Sequence, residues 1–464
     1  MNHRTFKHGI HPADDGKAYT KDAAIRLIRP QGEAVYPLSQ HIGAPAVPAV
    51  AVGDPVLVGQ PIATGGGFVS AAICSAFSGK VKAIEPRTVI SGQAVMSIVI
   101  ENDGAFTPIP ELDTPRDPAS LSTADILGII RDAGIVGQGG AGFPTHVKLS
   151  MKEGVQPDTV IVNAAECEPY LTSDYRMMTE VPDQLLGGLS VVLRLFPQAQ
   201  GVIAVEDNKP DALRNLSAMA EKYERIRVQA LKTKYPQGGE RMLIHAVTGR
   251  DIYSGKLPID AGCVVMNVST AISIYLAVCR HIPQIYTIMS VTGDGAATPC
   301  NLAVPVGTNH AEVLELAGGL AGEPEKIISG GPMMGFAMPS LDVPVTKTSS
   351  SILAMQHDEV ARWEPTACIR CGRCMRACPE FLVPTALAEA ADANDLAAFE
   401  ALNGMECIEC GSCTYVCPAK RRLTQSFKFA RAAVGAERRR KAAEQKAKAE
   451  QAAKAAQADG KEEK

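Results

Sequence analysis

Two cysteine runs near the carboxyl end constrain this chain more than any other feature. The first is Cys368-x2-Cys371-x2-Cys374-x3-Cys378-Pro379, and the second is Cys407-x2-Cys410-x2-Cys413-x3-Cys417-Pro418. Each has the bacterial spacing for a [4Fe–4S] cluster: three thiolates of a tight loop reach three irons of one cubane, and the fourth cysteine ligates the other cluster. That assigns Cys368, Cys371, Cys374 and Cys417 to one cluster, and Cys407, Cys410, Cys413 and Cys378 to the second. Zinc sites take four ligands and have no use for a doubled three-plus-one spacing. Helix-like patterning from Thr385 to Leu402 fills the spacer between the runs. Two clusters side by side imply one-electron transfer along a wire.

The remaining five of 13 cysteines, Cys74, Cys167, Cys263, Cys279 and Cys300, are scattered. The count is odd and Met1 to Asp15 has no apolar export segment, so a disulfide framework is not expected. Cys263 and Cys279 lie in apolar contexts and read as small buried hydrophobes. A length of 464 residues predicts about three domains. With 46% apolar and 21% charged residues the composition is that of a soluble globular protein. A net charge of −4 and only 5% aromatics argue against a nucleic-acid partner, which needs phosphate neutralisation or stacking platforms. Two stretches, Pro55 to Gly79 and Ala261 to Cys279, lack charge. The first is full of Gly, Pro and Ser, and the second carries Asn267, Ser269, Thr270 and Ser273. Neither offers the run of about 20 predominantly apolar residues that a spanning helix needs, so membrane contact is expected only through partners.

Residues 1–115 alternate short apolar segments with Gly and Pro turns (Val35-Tyr36, Val56 to Val58, Lys80 to Ile84, Ala94 to Ile100), which predicts a small β-rich sandwich or barrel. Glu111 to Asp117 reads as a linker. From about residue 120 to 284 helices and strands alternate. Thr123 could cap a helix carrying Ile126, Leu127, Ile129 and Ile130 and ended by Gly134. Strands are expected at Thr159 to Val162, Val202 to Val205, Ile226 to Leu231 and Cys263 to Val268. Helices are expected at Val181 to Leu195, Asp211 to Tyr223, Glu240 to Val247 and from about Ala271. This is an α/β layered pattern with a largely parallel sheet. Residues 285–352 return to short strands around one helix, Ala311 to Ala317 with Asn309 as cap, an α+β pattern. The cysteine domain covers 360–425. The tail 434–464, with Arg438-Arg439-Arg440-Lys441, has almost no large apolar residue and reads as solvated or disordered.

Gly137-Gln138-Gly139-Gly140-Ala141-Gly142 matches GxGxxG, a weak signal alone because a helix, not a strand, precedes it. Three strand ends strengthen it. Thr159 to Val162 runs into Asn163-Ala164-Ala165-Glu166-Cys167-Glu168-Pro169, placing amides and carboxylates where a doubly wound sheet binds ligands. Tyr235-Pro236-Gln237-Gly238-Gly239-Glu240 puts glycines at a helix N-terminus, a ready phosphate site. Cys263 to Val268 ends in Asn267-Val268-Ser269-Thr270.

The segments GQGGAGFPTHVKL, NAAECEP, YPQGGE and NVST resemble the flavin- and NADH-binding subunit of bacterial respiratory complex I. The chain resembles still more closely the RnfC/RsxC family, the C subunits of the Rnf (Rsx) ion-translocating complexes. It shares with them GIHP (Gly9 to Pro12), PLSQHIGAPA (Pro37 to Ala46), GFVSA (Gly67 to Ala71), GGPMMG (Gly330 to Gly335) and both cysteine runs. The resemblance implies a multidomain α/β and α+β chain. Its parts would be an N-terminal lipoyl-like barrel-sandwich hybrid, a central Rossmann-like FMN/NADH domain, a β-grasp soluble-ligand-binding module and a helical two-cluster ferredoxin-like domain. Carried over residue by residue, Gly137, Gly139, Gly140, Gly142 and Lys148 would line the flavin phosphate and dinucleotide. Phe143 would flank the nicotinamide, and Asn163, Glu166 and Glu168 would lie at flavin or nicotinamide. Tyr235, Gly238, Gly239, Glu240, Asn267 and Thr270 would complete the FMN pocket. Gln138 and Ala165 stand where complex I has Arg and Asp. No side chain is expected to act as acid or base. The implied function is a peripheral subunit at the cytoplasmic face of the cell membrane. It would pass electrons between NADH, FMN and two [4Fe–4S] clusters, to or from the other subunits of an ion-translocating NADH:ferredoxin oxidoreductase. A soluble cobalamin reductase-like flavo-iron–sulfur enzyme, or a relay using the clusters alone, are the alternatives.

Overall fold

A computed structural model describes residues 4–152 and 154–462, with backbone alone for 446, 447 and 449–462. The chain divides into two compact units: residues 11–360 with the segment before Lys7, and Lys7–Ile10 with the residues from Ala361 onward.

At the centre of the first unit is a parallel sheet in the order Ile226–Leu231, Gln200–Glu206, Thr159–Ala164, Cys263–Asn267. Successive side chains point to opposite faces. Val160, Val162, Ala164, Ile203, Val205, Val264 and Met266 pack with the helices Pro182–Leu195 and Val268–Arg280 in one core. Ile161, Val202, Ala204 and Val265 pack with Leu243, Ile244 and Val247 of the helix Glu240–Thr248 in another. Both faces are covered, so the strands read as continuous apolar runs. A Cβ at Gly188 would stand 1.9 Å from the Ala271 carbonyl oxygen, so glycine alone lets the first two helices lie this close. The strand order reverses between Thr159–Ala164 and Cys263–Asn267, which opens a crevice at their carboxyl ends. Asn163 and Asn267 are register partners at that point. Val268, expected as strand, is the first residue of the following helix, because the Asn267 side chain caps it by accepting from Ser269 N–H.

Ser122, one residue before the expected Thr123, caps the helix Thr123–Asp132. Its hydroxyl accepts from Asp125 N–H while the Asp125 carboxylate accepts from Ser122 N–H, a reciprocal capping box. The N-terminal strands form a four-stranded antiparallel sheet (Ala34–Pro37, Ala94–Asn102, Gly79–Thr88, Pro55–Val56) and a three-stranded one (Val47–Pro48, Pro61–Thr64, Ile73–Cys74). They enclose Tyr36, Ile62, Phe77, Ile98 and Ile100, a barrel-sandwich core. The β-grasp part has a six-stranded sheet, Ile25–Leu27, Cys300–Pro305, Tyr286–Thr292, Ser351–Met355, Lys326–Ser329 and Phe336–Ala337, with the helix His310–Leu316 capped by Asn309. Its edge strand Ile25–Leu27 comes from far upstream and pairs parallel with Cys300–Pro305. A stretch of three residues, one half-buried and two exposed, carries no periodicity by which sequence could find it.

In the second unit the spacer helix is two helices, Pro384–Asp392 and Leu396–Ala401, with Asn394 at φ 53° between them. They pack Leu387 and Phe399 against Leu423, Phe427 and Val434 of the helix Leu423–Glu462. The tail continues this helix, as its Ala, Lys, Glu, Gln and Arg favour. Val434 is its last core residue, and the side chains of 438–445 are exposed. The rest of the tail's side chains lie outside the described residues, apart from the exposed Lys448. Among the described residues no helix is long and apolar enough to cross a membrane.

Candidate functional site

The crevice gathers the polar strand ends and the glycine loop, all within the first unit. Gly137 N–H donates to the Phe143 carbonyl at 2.8 Å, closing the loop. Gln138 N–H donates to Thr270 Oγ1 at 3.0 Å and Gln138 Nε2 to Ser273 Oγ at 2.8 Å, fastening the loop to the helix after Asn267. Gly139 sits at φ 71°, where a Cβ would come 3.0 Å from Asn267 Nδ2. Gly139, Gly140 and Ala141 are exposed, and their N–H groups have no protein acceptor among the described residues. Such a row of free amides is a concavity for an anion. Pro37 to Ala46 flanks it: Ile42 N–H donates to the Gly142 carbonyl, and His41 Nε2 is held by Ser70 Oγ and Ala71 N–H.

The two asparagines at the switch point are used internally. Asn163 Nδ2 donates to the Gly238 carbonyl at 2.9 Å, and Gly238 N–H donates to Cys167 Sγ at 3.2 Å, so the Tyr235 to Gly239 turn is tied to the strand end. Asn267 Nδ2 donates to Asp174 Oδ2 at 2.6 Å. Both amides shape the loops, leaving loop backbone to face a ligand. Lys148 reaches in from the helix Thr145–Leu149, donating to the Val265 carbonyl at 3.0 Å with Glu240 3.6 Å away. Phe143 is half-buried and Tyr235 is buried.

Glu166 and Glu168 are anchors in this structure. Glu166, at φ 48°, accepts from Asp174 N–H at 2.7 Å and Tyr175 N–H at 3.3 Å. Its other oxygen is buried without a hydrogen bond, 4.0 Å from Lys17 Nζ. Glu168 Oε1 accepts from Met333 and Met334 N–H at 2.8 and 3.2 Å, holding the GGPMMG loop against the crevice. Burial raises both carboxyls above the usual range. Asp174 is pushed up to about 7 by burial and then by the Glu166 charge, and Glu206 to about 7 by burial. Lys17 donates to the Glu168 and Leu171 carbonyls, and Lys209 to the Ala165 carbonyl with Glu206 3.7 Å away. Lys17, Asp174, Glu206 and Lys209 were not expected from sequence. Nothing in spacing ties residue 17 to residue 166, and only the fold brings them together.

In the second unit the cysteines separate into two rings. Cys368, Cys371, Cys374 and Cys417 line one cavity, and Cys378, Cys407, Cys410 and Cys413 line another. The fourth cysteine of each run crosses to the other ring. Among the described residues no three His, Cys, Asp or Glu side chains converge as the ligands of a single metal ion. Burial pushes Cys407 up to about 11 and Cys413 to about 12, so thiolates there need cations to offset their charge. The second ring also has hydroxyls at its sulfurs: Ser412 Oγ lies 3.4 Å from Cys410 Sγ and Thr424 Oγ1 3.6 Å from Cys413 Sγ.

Family comparison matches four segments in order: the RnfC barrel sandwich hybrid domain over residues 4–105, the Nuo51 FMN-binding domain over 130–276, the SLBB domain over 288–337 and the 4Fe-4S dicluster domain over 361–418. The chain is 44% identical over 386 residues to the C subunit of the proton-translocating ferredoxin:NAD(+) oxidoreductase complex of Clostridium ljungdahlii, covering 83% of this chain and 84% of the relative. It is 41% identical over 440 residues to the C subunit of the Na(+)-translocating ferredoxin:NAD(+) oxidoreductase complex of Acetobacterium woodii, covering 95% and 99%. The C subunit of the ion-translocating oxidoreductase complex of Pseudomonas aeruginosa is 42% identical over 357 residues, 76% of this chain but only 46% of that longer relative. A chain of an NAD+-reducing [NiFe]-hydrogenase in the air-oxidised state shares the fold, with a TM-score of 0.50 at 20% identity over 67% of this chain and 66% of that one. Aligned along nearly its whole length with a full-length relative, the chain belongs to the RnfC family, the C subunits of the ion-translocating ferredoxin:NAD+ oxidoreductase complexes.

Proposed function

We propose that this chain is the NADH-reacting peripheral subunit, at the cytoplasmic face of the membrane, of an ion-translocating ferredoxin:NAD+ oxidoreductase. The observation that carries the reading is the pairing, in one chain, of an open amide loop at a switch point with two four-cysteine rings. FMN would take the hydride of NADH as an electron pair and release it singly to two [4Fe–4S] clusters.

The crevice fits the flavin. Gly139 to Ala141 offer amides to its phosphate, and Gly140 leaves open space where any Cβ would intrude on a ligand. Lys148 brings a cation, while Thr270, Asn163 and Asn267 hold the loops in register. Phe143 lies at the loop's end for the nicotinamide. Glu168, by tying down Met333 and Met334, keeps the GGPMMG loop over the crevice, which restricts water. Glu166, Tyr235, Gly238, Gly239 and Glu240 complete the wall. Cys368, Cys371, Cys374 and Cys417 would hold one cluster, and Cys378, Cys407, Cys410 and Cys413 the other. The family matches fall inside the proposed segments 1–115, 120–284, 285–352 and 360–425. Membrane contact through other subunits accords with the lack of a spanning helix among the described residues.

Anaerobic purification, flavin and metal analysis and NADH titration test this. The expected result is one FMN, about eight irons and about eight acid-labile sulfides per chain, with NADH bleaching both flavin and cluster absorbance. Iron without flavin, or flavin that NADH does not bleach, would overturn the NADH-reacting role.

A further inference from the structure

The two cysteine runs are duplicates in spacing and opposites in charge. Cys368 to Cys378 reads CIRCGRCMRAC, and Cys407 to Cys417 reads CIECGSCTYVC. At equivalent places Arg370, Arg373 and Arg376 stand where the second run has Glu409, Ser412 and Tyr415. Iron ligation asks for neither set, so the difference has another cause.

Exposure differs in the same sense. Ile369 is 67% exposed, and Arg370, Cys371, Arg373, Met375 and Arg376 are all exposed. In the second run Ile408 and Glu409 are half-buried, and Cys410 to Cys413 are buried. The second loop is covered from within its own unit, since Arg431 of the long helix pairs with Glu409 at 2.8 Å and also donates to the Cys407 carbonyl. The first loop has no such cover. None of its three arginines has a carboxylate partner among the described residues. Arg376 Nη2 lies 3.5 Å from the Cys371 carbonyl, so that guanidinium sits on the ligand loop itself, and the backbone N–H of Arg370 points at Cys368 Sγ at 3.4 Å.

Three uncompensated arginines around an exposed apolar residue repel one another and add nothing to the unit's own stability. They do steer and orient an oppositely charged partner, and arginine with a central apolar side chain is the usual make-up of an interface. We propose that the Cys368 to Arg376 loop is the docking face for an acidic redox protein whose one-electron centre seats against the exposed Cys368 and Cys371. This rests on the reading that the runs hold clusters. A bilayer would also attract arginines, but it would press the exposed ligand edge against headgroups that accept no electron.

The test measures binding by the anaerobically purified holoprotein. The probes are flavodoxin (acidic), cytochrome c (basic) and phosphatidylglycerol vesicles, with iron counted in every sample. Flavodoxin is expected to bind at least tenfold more tightly than cytochrome c at low salt and to weaken about tenfold as ionic strength shortens the screening length. The variant R370E/R373E/R376E should lose at least tenfold in flavodoxin affinity with iron unchanged, and R370Q/R373Q/R376Q should fall between. Equal binding of the two proteins, or charge reversal without effect, overturns the proposal. So does vesicle binding that displaces flavodoxin and needs the same arginines, which would assign the face to lipid. An iron-free preparation would sink the cluster reading instead, and the arginine dependence of flavodoxin binding would still decide the docking face.

Discussion

Lys347 is a lysine at 1% exposure with no carboxylate partner among the described residues. Its ammonium donates to the Ala72 carbonyl at 2.6 Å and the Gly134 carbonyl at 2.5 Å, while its backbone is held by Gln40 and Gln284. It therefore pins the barrel and the approach to the glycine loop to the β-grasp part. Burial lowers its pKa to about 8. Lys347→Met would orphan two buried carbonyls at a cost of about 2 kcal/mol or more, read as a fall in unfolding free energy by chemical denaturation. The sign with pH follows from linkage: a base depressed in the native state binds fewer protons there than when unfolded, so it makes stability rise between about 8 and the ordinary 10.5. The wild type should gain stability over that interval, and Lys347→Met should not. Gly140 gives a sharper test of the crevice. It lies outside the left-handed region and its Cβ would meet nothing within 4 Å, so Gly140→Val should fold normally. What it can obstruct is the ligand. Bound flavin should fall at least tenfold and NADH:ferricyanide activity with it, while iron stays constant; full flavin and activity would refute the loop assignment. At this scale sequence read chemistry better than role. The polar strand ends were visible as candidates, yet Asn163, Asn267 and Thr270 brace loops through contacts that only the folded register creates.

Elements were legible wherever a local signal exists. The β-branched run at Thr159, the apolar period of Pro182–Leu195 and the Asn309 cap all lie in short windows of sequence. The misplacements are local too: Ser122 outcompetes Thr123 because Asp125 completes a reciprocal box with it, and Asn394 in the left-handed region splits one spacer helix into two. The cysteine elements carry their tertiary arrangement in their spacing, since the crossing of Cys378 and Cys417 needs no contact map to anticipate. Cys378 also has a neighbour that no spacing foretells. His8 lies 3.1 Å from the Cys378 carbonyl, its ring is 4.5 Å from Phe381, and Gly9 N–H donates to the Ala377 carbonyl. Cys378→Ala should therefore damage the cluster of the second run and leave that of the first, read from separable EPR signals on NADH or dithionite reduction. Loss of the first-run signal alone would overturn the crossing.

At the scale of the whole molecule the chain's first thirty residues matter out of proportion to their chemistry. Arg4 bridges in parallel to Leu231 at the edge of the parallel sheet, and its backbone is bonded on both sides, from Arg4 N–H to Ala230 and from Lys232 N–H to Arg4. Lys7–Ile10 then belong to the cluster unit. Lys17 is buried beside Glu166 in the crevice, and Ile25–Leu27 close the edge of the β-grasp sheet. None of these residues is a proposed ligand, yet each completes an element that other parts of the chain leave unfinished. Phe6, Ile10 and Ile28 are each at most 6% exposed, and burying such side chains is worth about 1.5–3 kcal/mol apiece. Removing residues 1–10 should loosen the Cys378 loop and lower iron in the second-run cluster while flavin is retained, because Lys17 and the strand after it remain. Removing residues 1–28 should cost both cofactors. It takes away the cation that partly offsets the buried Glu166 and bares the Cys300–Pro305 edge to pairing with other chains. The comparison is with a truncation after Glu444, beyond the core residue Val434, which should change neither iron nor flavin. Iron, flavin and the melting temperature of the three proteins decide the matter. If the 1–28 deletion keeps its flavin and melts within about 2 °C of the full chain, the N-terminal strap is an accessory and the crevice holds its shape without it.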